Sequence, residues 1–111
     1  MMTIGIIGQG YVGTAIKLGF QDHYKVLTYD KFDLAKSTHS KISDLVEETK
    51  VIFVCVPTPM RKDGTCYTGI VEEVIREINE TATDHIVVIK STIPPGTTDR
   101  INSEYTHSTV I

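Results

Sequence analysis

The 111 residues predict an α/β fold, a doubly wound parallel sheet in one domain spanning 1–111. Three observations lead there. Short apolar runs over residues 3–7, 25–29, 51–56 and 85–90 alternate with stretches of helical periodicity, the pattern of strands joined by crossover helices. The first run feeds directly into a glycine-rich turn. Each gap between runs offers the dozen or more residues that a parallel connection needs. With right-handed crossovers, the expected strand order is 3-2-1-4-5.

The first strand is Ile4-Gly5-Ile6-Ile7, β-branched and suited to the middle of a sheet. It runs into Gly8-Gln9-Gly10-Tyr11-Val12-Gly13, a G-x-G-x-x-G pattern in which each glycine has its own steric duty. Gly8 permits the tight turn, Gly10 lets a pyrophosphate approach the backbone, and Gly13 lets the next helix lie close on the strand. That helix carries Val12, Ala15, Ile16, Gly19 and Phe20 at roughly helical spacing. Its N-terminal N–H groups and positive dipole end would face the phosphates. The second strand, Lys25 to Tyr29, ends at Asp30, 22 residues after Gly8. A carboxylate there suits the 2′- and 3′-hydroxyls of an adenosine ribose and would repel a 2′-phosphate. The cofactor expected of this Rossmann-like domain is therefore NAD rather than NADP, with Lys31 acting against that preference.

Phe32 to Ser40 reads as polar and turn-like, and Ile42, Leu45 and Val46 mark a short helix ending near Lys50. The third strand, Val51 to Val56, is uninterruptedly apolar and stops at Pro57. Pro57-Thr58-Pro59 can neither extend a strand nor at once begin a helix, so it forms a stiff loop at a carboxyl strand end, where such sheets bind ligands. A polar loop with a turn at Asp63-Gly64 follows. The next helix buries Ile70, Val71, Val74, Ile75 and Ile78 and wets Glu72, Glu73, Arg76 and Glu77. His85 to Lys90 is the fourth strand, with Lys90 read as structural. After it, Thr97 or Thr98 is the expected N-cap of a helix running to about Tyr105. Val110-Ile111 reads as the opening of a fifth strand.

Composition narrows the function. A net charge of −3 with scattered Lys and Arg gives no electrostatic case for nucleic acid or an anionic membrane. No apolar run approaches the length of a membrane span, and the start lacks the basic region of a signal peptide, so the expected location is cytoplasmic. Cys55 reads as a small core hydrophobe within a strand, and Cys66 as a loop residue that could be a free thiol. Neither has a base beside it in sequence that would make it a nucleophile. His23, His39, His85 and His107 show no metal-binding spacing, so no metal site is expected.

Three blocks together resemble the N-terminal domain of the UDP-glucose/UDP-N-acetylmannosamine dehydrogenase family of nucleotide-sugar dehydrogenases. They are Ile4 to Gly13, then Val54-Cys55-Val56-Pro57-Thr58-Pro59 with Asp63-Gly64, and finally Lys90-Ser91-Thr92-Ile93-Pro94-Pro95-Gly96-Thr97-Thr98. The resemblance implies oxidation of the C6 alcohol of a UDP-sugar to a carboxylate with NAD, within nucleotide-sugar metabolism and polysaccharide biosynthesis. It implies cofactor contacts from Gly8, Gly10, Tyr11, Val12, Gly13, Asp30, Pro57 and Thr58. Thr92 would sit near the reacting carbon, placing cofactor or catalytic water. From the residues alone, the hydroxyls of Thr58 and Thr92 either reach a dinucleotide or cap a loop.

Two departures bear on function. The stretch between strands two and three is shorter than the family's, with Ala35 and Lys36 near the place of a family Lys. The family's nucleophilic Cys and most of its UDP-sugar site belong to a later domain, absent from these residues. The chain is therefore expected to bind NAD, to need that domain for a UDP-sugar, and to be inactive alone, with homo-oligomerisation open. The alternative is a stand-alone NAD-binding sensor or docking module without catalysis.

Overall fold

The computed structural model describes residues 2–81, 84–104 and 108–111. In chain order the elements are β1 (Thr3–Ile7), α1 (Tyr11–Phe20), β2 (Lys25–Tyr29), a 3-10 turn (Leu34–Lys36), α2 (Ile42–Glu47), β3 (Val51–Val54), α3 (Gly69–Asn79), β4 (His85–Ile89), α4 (Thr97–Glu104) and β5 (Ser108–Val110). Tyr105 and His107 lie outside the described residues. Among the described residues, the four pairings between these strands are all parallel.

The order across the sheet is β2-β1-β3-β4-β5, not the expected 3-2-1-4-5. The third strand pairs directly with the first, Ile4 opposite Val51 and Ile7 opposite Val54, and the second is left at the edge. The physical reason is visible in β3. Ile52 and Val54 are fully buried and pack with α2, α3 and α4. On the other face the Phe53 ring lies 5.7 Å from that of Phe20 in α1. A strand apolar on both faces belongs in the middle of a parallel sheet, and residues 30–50 supply only one crossover to take it there. The point where the winding reverses falls between β1 and β3, so the ligand crevice of this topology opens above their carboxyl ends.

The layers follow from alternation along the strands. Ile7, Leu27, Ile52, Val54 and Val87 face the apolar stripes of α2, α3 and α4, forming one core. Gly5 belongs to the same face: a Cβ there would come within 2.6 Å of Leu45 Cδ2, so its absence lets α2 sit down on the sheet. The opposite face carries α1, whose Gly13 is buried. Thr97 is the first residue of α4 rather than its cap. Gly96, at φ +87°, precedes it and accepts the N–H of Arg100, a backbone turn that glycine alone takes without strain. Among the described residues, no helix is long and apolar enough to cross a membrane.

Candidate functional site

The crevice above β1 and β3 is a cleft of about 780 Å³. Its lining includes Gly8, Gly10, Tyr11, Val12, Asp30 and Pro57, six of the residues singled out in sequence. The glycine turn is built by two close approaches. Gly8 has φ +101°, and a Cβ on it would lie 2.6 Å from the carbonyl oxygen of Cys55. A Cβ on Gly13 would lie 1.8 Å from the carbonyl oxygen of Gly8, so α1 touches β1 only because that atom is missing. Gly10 differs: a Cβ there would meet nothing within 4 Å. The space beside it is the open cleft, the volume that a pyrophosphate requires.

Gly10 is the N-cap of α1, without a side-chain cap, and the first turn carries no acidic residue. Thr14 N–H closes the first helical bond onto the Gly10 carbonyl. The remaining N–H groups of that turn, with the helix dipole behind them, form an anion cradle. Among the described residues, no acidic side chain of that turn competes for it.

Asp30 stands at the tip of β2 and is half-buried. Its Oδ2 accepts the N–H of Gln9 at 2.7 Å and its Oδ1 that of Phe32 at 2.8 Å. The carboxylate therefore fastens the glycine turn to the end of β2, and each oxygen keeps a further lone pair for a ligand hydroxyl. The residues present fit a dinucleotide: bare amides for phosphate, an oriented carboxylate for a ribose diol.

Gly13 lies behind the cleft, while Thr58 and Thr92 stand outside its lining, on the loops after β3 and β4. The structure brings those loops together through Cys66, expected only as a loop thiol, and Ser91, for which no contact was expected. Cys66 Sγ lies 3.3 Å from the Thr92 carbonyl oxygen and 3.8 Å from that of Thr58. Ser91 Oγ donates to the Val56 carbonyl at 2.6 Å. The loop 59–67 folds back as a narrow hairpin, with the turn at Asp63-Gly64 as expected: Gly64 has φ +87° and Tyr67 N–H bonds the Pro59 carbonyl. Cys55 is moved from its expected place. β3 ends at Val54, and Cys55 is half-buried at the cleft wall. Burial pushes its thiol up to about 11 against the pull of Lys90, leaving it neutral and unreactive near pH 7.

The far wall of the cleft comes from α3 through Ile70, Glu73, Val74 and Glu77. One ion pair ties that helix to α4: Arg100 Nη2 lies 2.7 Å from Glu72 Oε1, and Thr68 Oγ1 donates to Glu72 Oε2 at 2.6 Å. The Thr68 hydroxyl holds the Glu72 carboxyl below its ordinary value, partial burial opposes this, and Arg100 adds to the lowering. The sign follows. A carboxyl whose value is depressed by folding stabilises the fold above its ordinary value, about 4.5, and that contribution is lost as pH falls through the lowered value. Melting temperatures measured down an acid series should therefore fall more steeply for the unsubstituted chain than for Glu72→Gln. Parallel curves would refute the assignment.

The chain matches the description "UDP-glucose/GDP-mannose dehydrogenase family, NAD binding domain" over residues 29–110. Among curated proteins, it is similar to the UDP-N-acetyl-D-mannosamine dehydrogenase of Pyrococcus horikoshii, 30% identical over 129 residues, covering 90% of this chain and 31% of that protein. Among solved structures, a UDP-glucose dehydrogenase from Pyrobaculum islandicum superimposes with a TM-score of 0.84 at 25% identity, over 99% of this chain and 35% of that one. A ternary complex of GDP-mannose dehydrogenase from Pseudomonas aeruginosa gives a TM-score of 0.82 at 26% identity, over 98% and 35%. The chain thus spans about a third of the length of these relatives.

Proposed function

The chain belongs to the UDP-glucose/GDP-mannose dehydrogenase family as its NAD binding domain, and from that premise we propose how it serves NAD-dependent oxidation of the C6 alcohol of a UDP-sugar to a carboxylate. The amides of Gly10, Tyr11 and Val12 hold the pyrophosphate, and Gly8 and Gly13 shape the turn that presents them. Asp30 takes the adenosine ribose. Pro57 and Thr58, above β3, flank the nicotinamide end. Thr92, on the neighbouring loop, stands where a hydroxyl orders the cofactor or a water at the reacting carbon. When bound, the nicotinamide supplies the hydride acceptor.

The observation that carries this reading is the glycine turn: Gly10 opens onto the cleft, Gly13 closes against the end of β1 behind it, and Asp30 is tied to Gln9, the residue just before Gly10. The sugar is held by a further domain. Hydride transfer depends on fixing the substrate carbon against the nicotinamide, so this chain alone binds NAD without turning it over. Both cysteines are free thiols, which suits a reducing cytoplasm. The relatives are named for nucleotide sugars, which suits a role in supplying polysaccharide synthesis.

Calorimetric titration of the purified chain with NAD and then with NADP tests the binding half. The expected result is saturable NAD binding, with NADP weaker. An absorbance assay with UDP-glucose and NAD tests the other half, and steady formation of reduced cofactor would overturn the need for a second domain.

A further inference from the structure

The two faces of the sheet are covered unequally. α2, α3 and α4 all lie on one side, against Ile7, Leu27, Ile52, Val54 and Val87. α1 is the helix of the other side, and it packs on β1 and β2. It touches β3 through Phe20, whose ring lies 5.7 Å from that of Phe53. β4 and β5 lie beyond β3, further from α1.

The register names the residues left on that side. Val51 is level with Ile86 and Phe53 with Val88, and neighbours at one level of a parallel sheet share a face. Ile86 is in turn level with Thr109. Ile111 extends the β5 ladder, its N–H on the Val87 carbonyl, and two residues past Thr109 it returns to the same side. Ile86 is 40% exposed and Ile111 65%, while Val51, Phe53 and Val88 are half-buried. Ile86 has a paired strand on either hand, so water reaches it through the face of the sheet. Parallel sheets bury both faces, and an open apolar patch on one of them marks an interface.

The charges at the ends of the patch select what covers it. Along β4 the alternation 84, 86, 88, 90 sets Asp84 at one end and Lys90 at the other, both exposed, with Ile86 and Val88 between them. Six residues of strand separate the two charges by about 20 Å. A second copy, turned about a two-fold axis through the middle of this row, lays its lysine end over the aspartate end of the first, and the first does the same in return. Apolar centre then meets apolar centre, and each end meets its opposite. A surface that complements itself under a two-fold is what an isologous dimer requires.

We propose that two copies of this chain associate through the open face of β3, β4 and β5, with Asp84 of each copy opposite Lys90 of the other. None of Val51, Phe53, Ile86, Val88 and Ile111 lines the dinucleotide cleft. Association therefore leaves the cofactor site open, and the inference stands independently of the cofactor reading.

Sedimentation equilibrium of the unsubstituted chain should give a mass that rises with concentration from 12.3 kDa toward twice that value. Ile86→Glu should hold the chain at the lower mass. Lys90→Asp and Asp84→Lys, both in water, should melt as folded proteins and each dimerise about tenfold more weakly, because two pairs are reversed in every dimer. Mixed in equal amounts, these two variants should recover the affinity, since each supplies the charge that the other has lost. A monomer at every concentration overturns the proposal, as does a dimer that Ile86→Glu leaves intact. Reversals that weaken association without recovery on mixing overturn the two-fold pairing. A chain that stays monomeric and merely becomes more soluble on Ile86→Glu has its face covered by a different polypeptide, which also overturns it. NAD should titrate alike into Ile86→Glu and the unsubstituted chain; if neither binds NAD while the dimer forms as described, only the cofactor reading falls.

Discussion

Gly10→Ala should leave the fold standing and weaken NAD binding about tenfold or more, whereas Gly13→Ala should damage the fold itself. The two positions lie three residues apart in one motif, and the structure separates what each does. A methyl on Gly10 enters open cleft, with φ −74° already acceptable to an L-residue. Nothing in the folded protein resists it, so only the ligand meets it. A methyl on Gly13 lands 1.8 Å from the Gly8 carbonyl oxygen. That atom is backbone, set by the strand-to-helix turn, and cannot swing aside as a side chain would. Relief requires α1 to lift from β1, at about 3 kcal/mol and a drop in melting temperature of about 10 °C or more. Thermal melts and NAD titrations on both variants check this. Gly10→Ala binding like the unsubstituted chain, or Gly13→Ala melting like it, would show that the turn is not built as described.

The elements themselves were legible because each rests on a local pattern. Alternation and apolar runs located β1, β2, β3 and β4, and the four-residue rhythm of Val71, Val74, Ile75 and Ile78 located α3. Neighbour relations are not local. Nothing in Val51 to Val54 names the strand beside it, and the order borrowed from the commoner winding put β3 outside β2. The one usable signal was that β3 is apolar on both faces, which an edge position would leave in water. The same division runs through the site. The turn that joins Gly8, Gly10 and Gly13, with Asp30 fastened to it, was readable because backbone sterics and a fixed spacing bind them together. Glu73 and Glu77 were not, since they reach the cleft only through the position of α3. The approach of Cys66 to Thr92 spans 26 residues of chain and depends on the 59–67 hairpin folding back. Phe32 was read as part of a polar turn, because exposure of a single aromatic cannot be told from sequence.

Asp30→Ala should cost both affinity and discrimination. In the folded chain the carboxylate does two things at once. It accepts the N–H of Gln9, a residue only 3% exposed, and it lines the cleft in which the proposed ribose site lies. Removing it leaves the Gln9 amide without that acceptor in a place water reaches poorly, at about 1–3 kcal/mol of stability; the Phe32 amide, in an exposed turn, is re-solvated. Two ribose hydroxyls lose a charged acceptor, which corresponds to about a tenfold to hundredfold loss of NAD affinity. NADP should respond differently. Its 2′-phosphate is repelled by the carboxylate and not by a methyl, so its affinity should hold or rise, and the preference between the two cofactors should shrink toward unity. Asp30→Asn sharpens the test: its one carbonyl oxygen can keep either the Gln9 or the Phe32 bond, and its amide must then confront the other N–H. It should fall between alanine and aspartate in stability while losing most of the discrimination against NADP. Calorimetric titration of all three proteins with both cofactors decides the matter. A preference for NAD that survives both substitutions would mean that selectivity comes from somewhere other than the charge at the tip of β2.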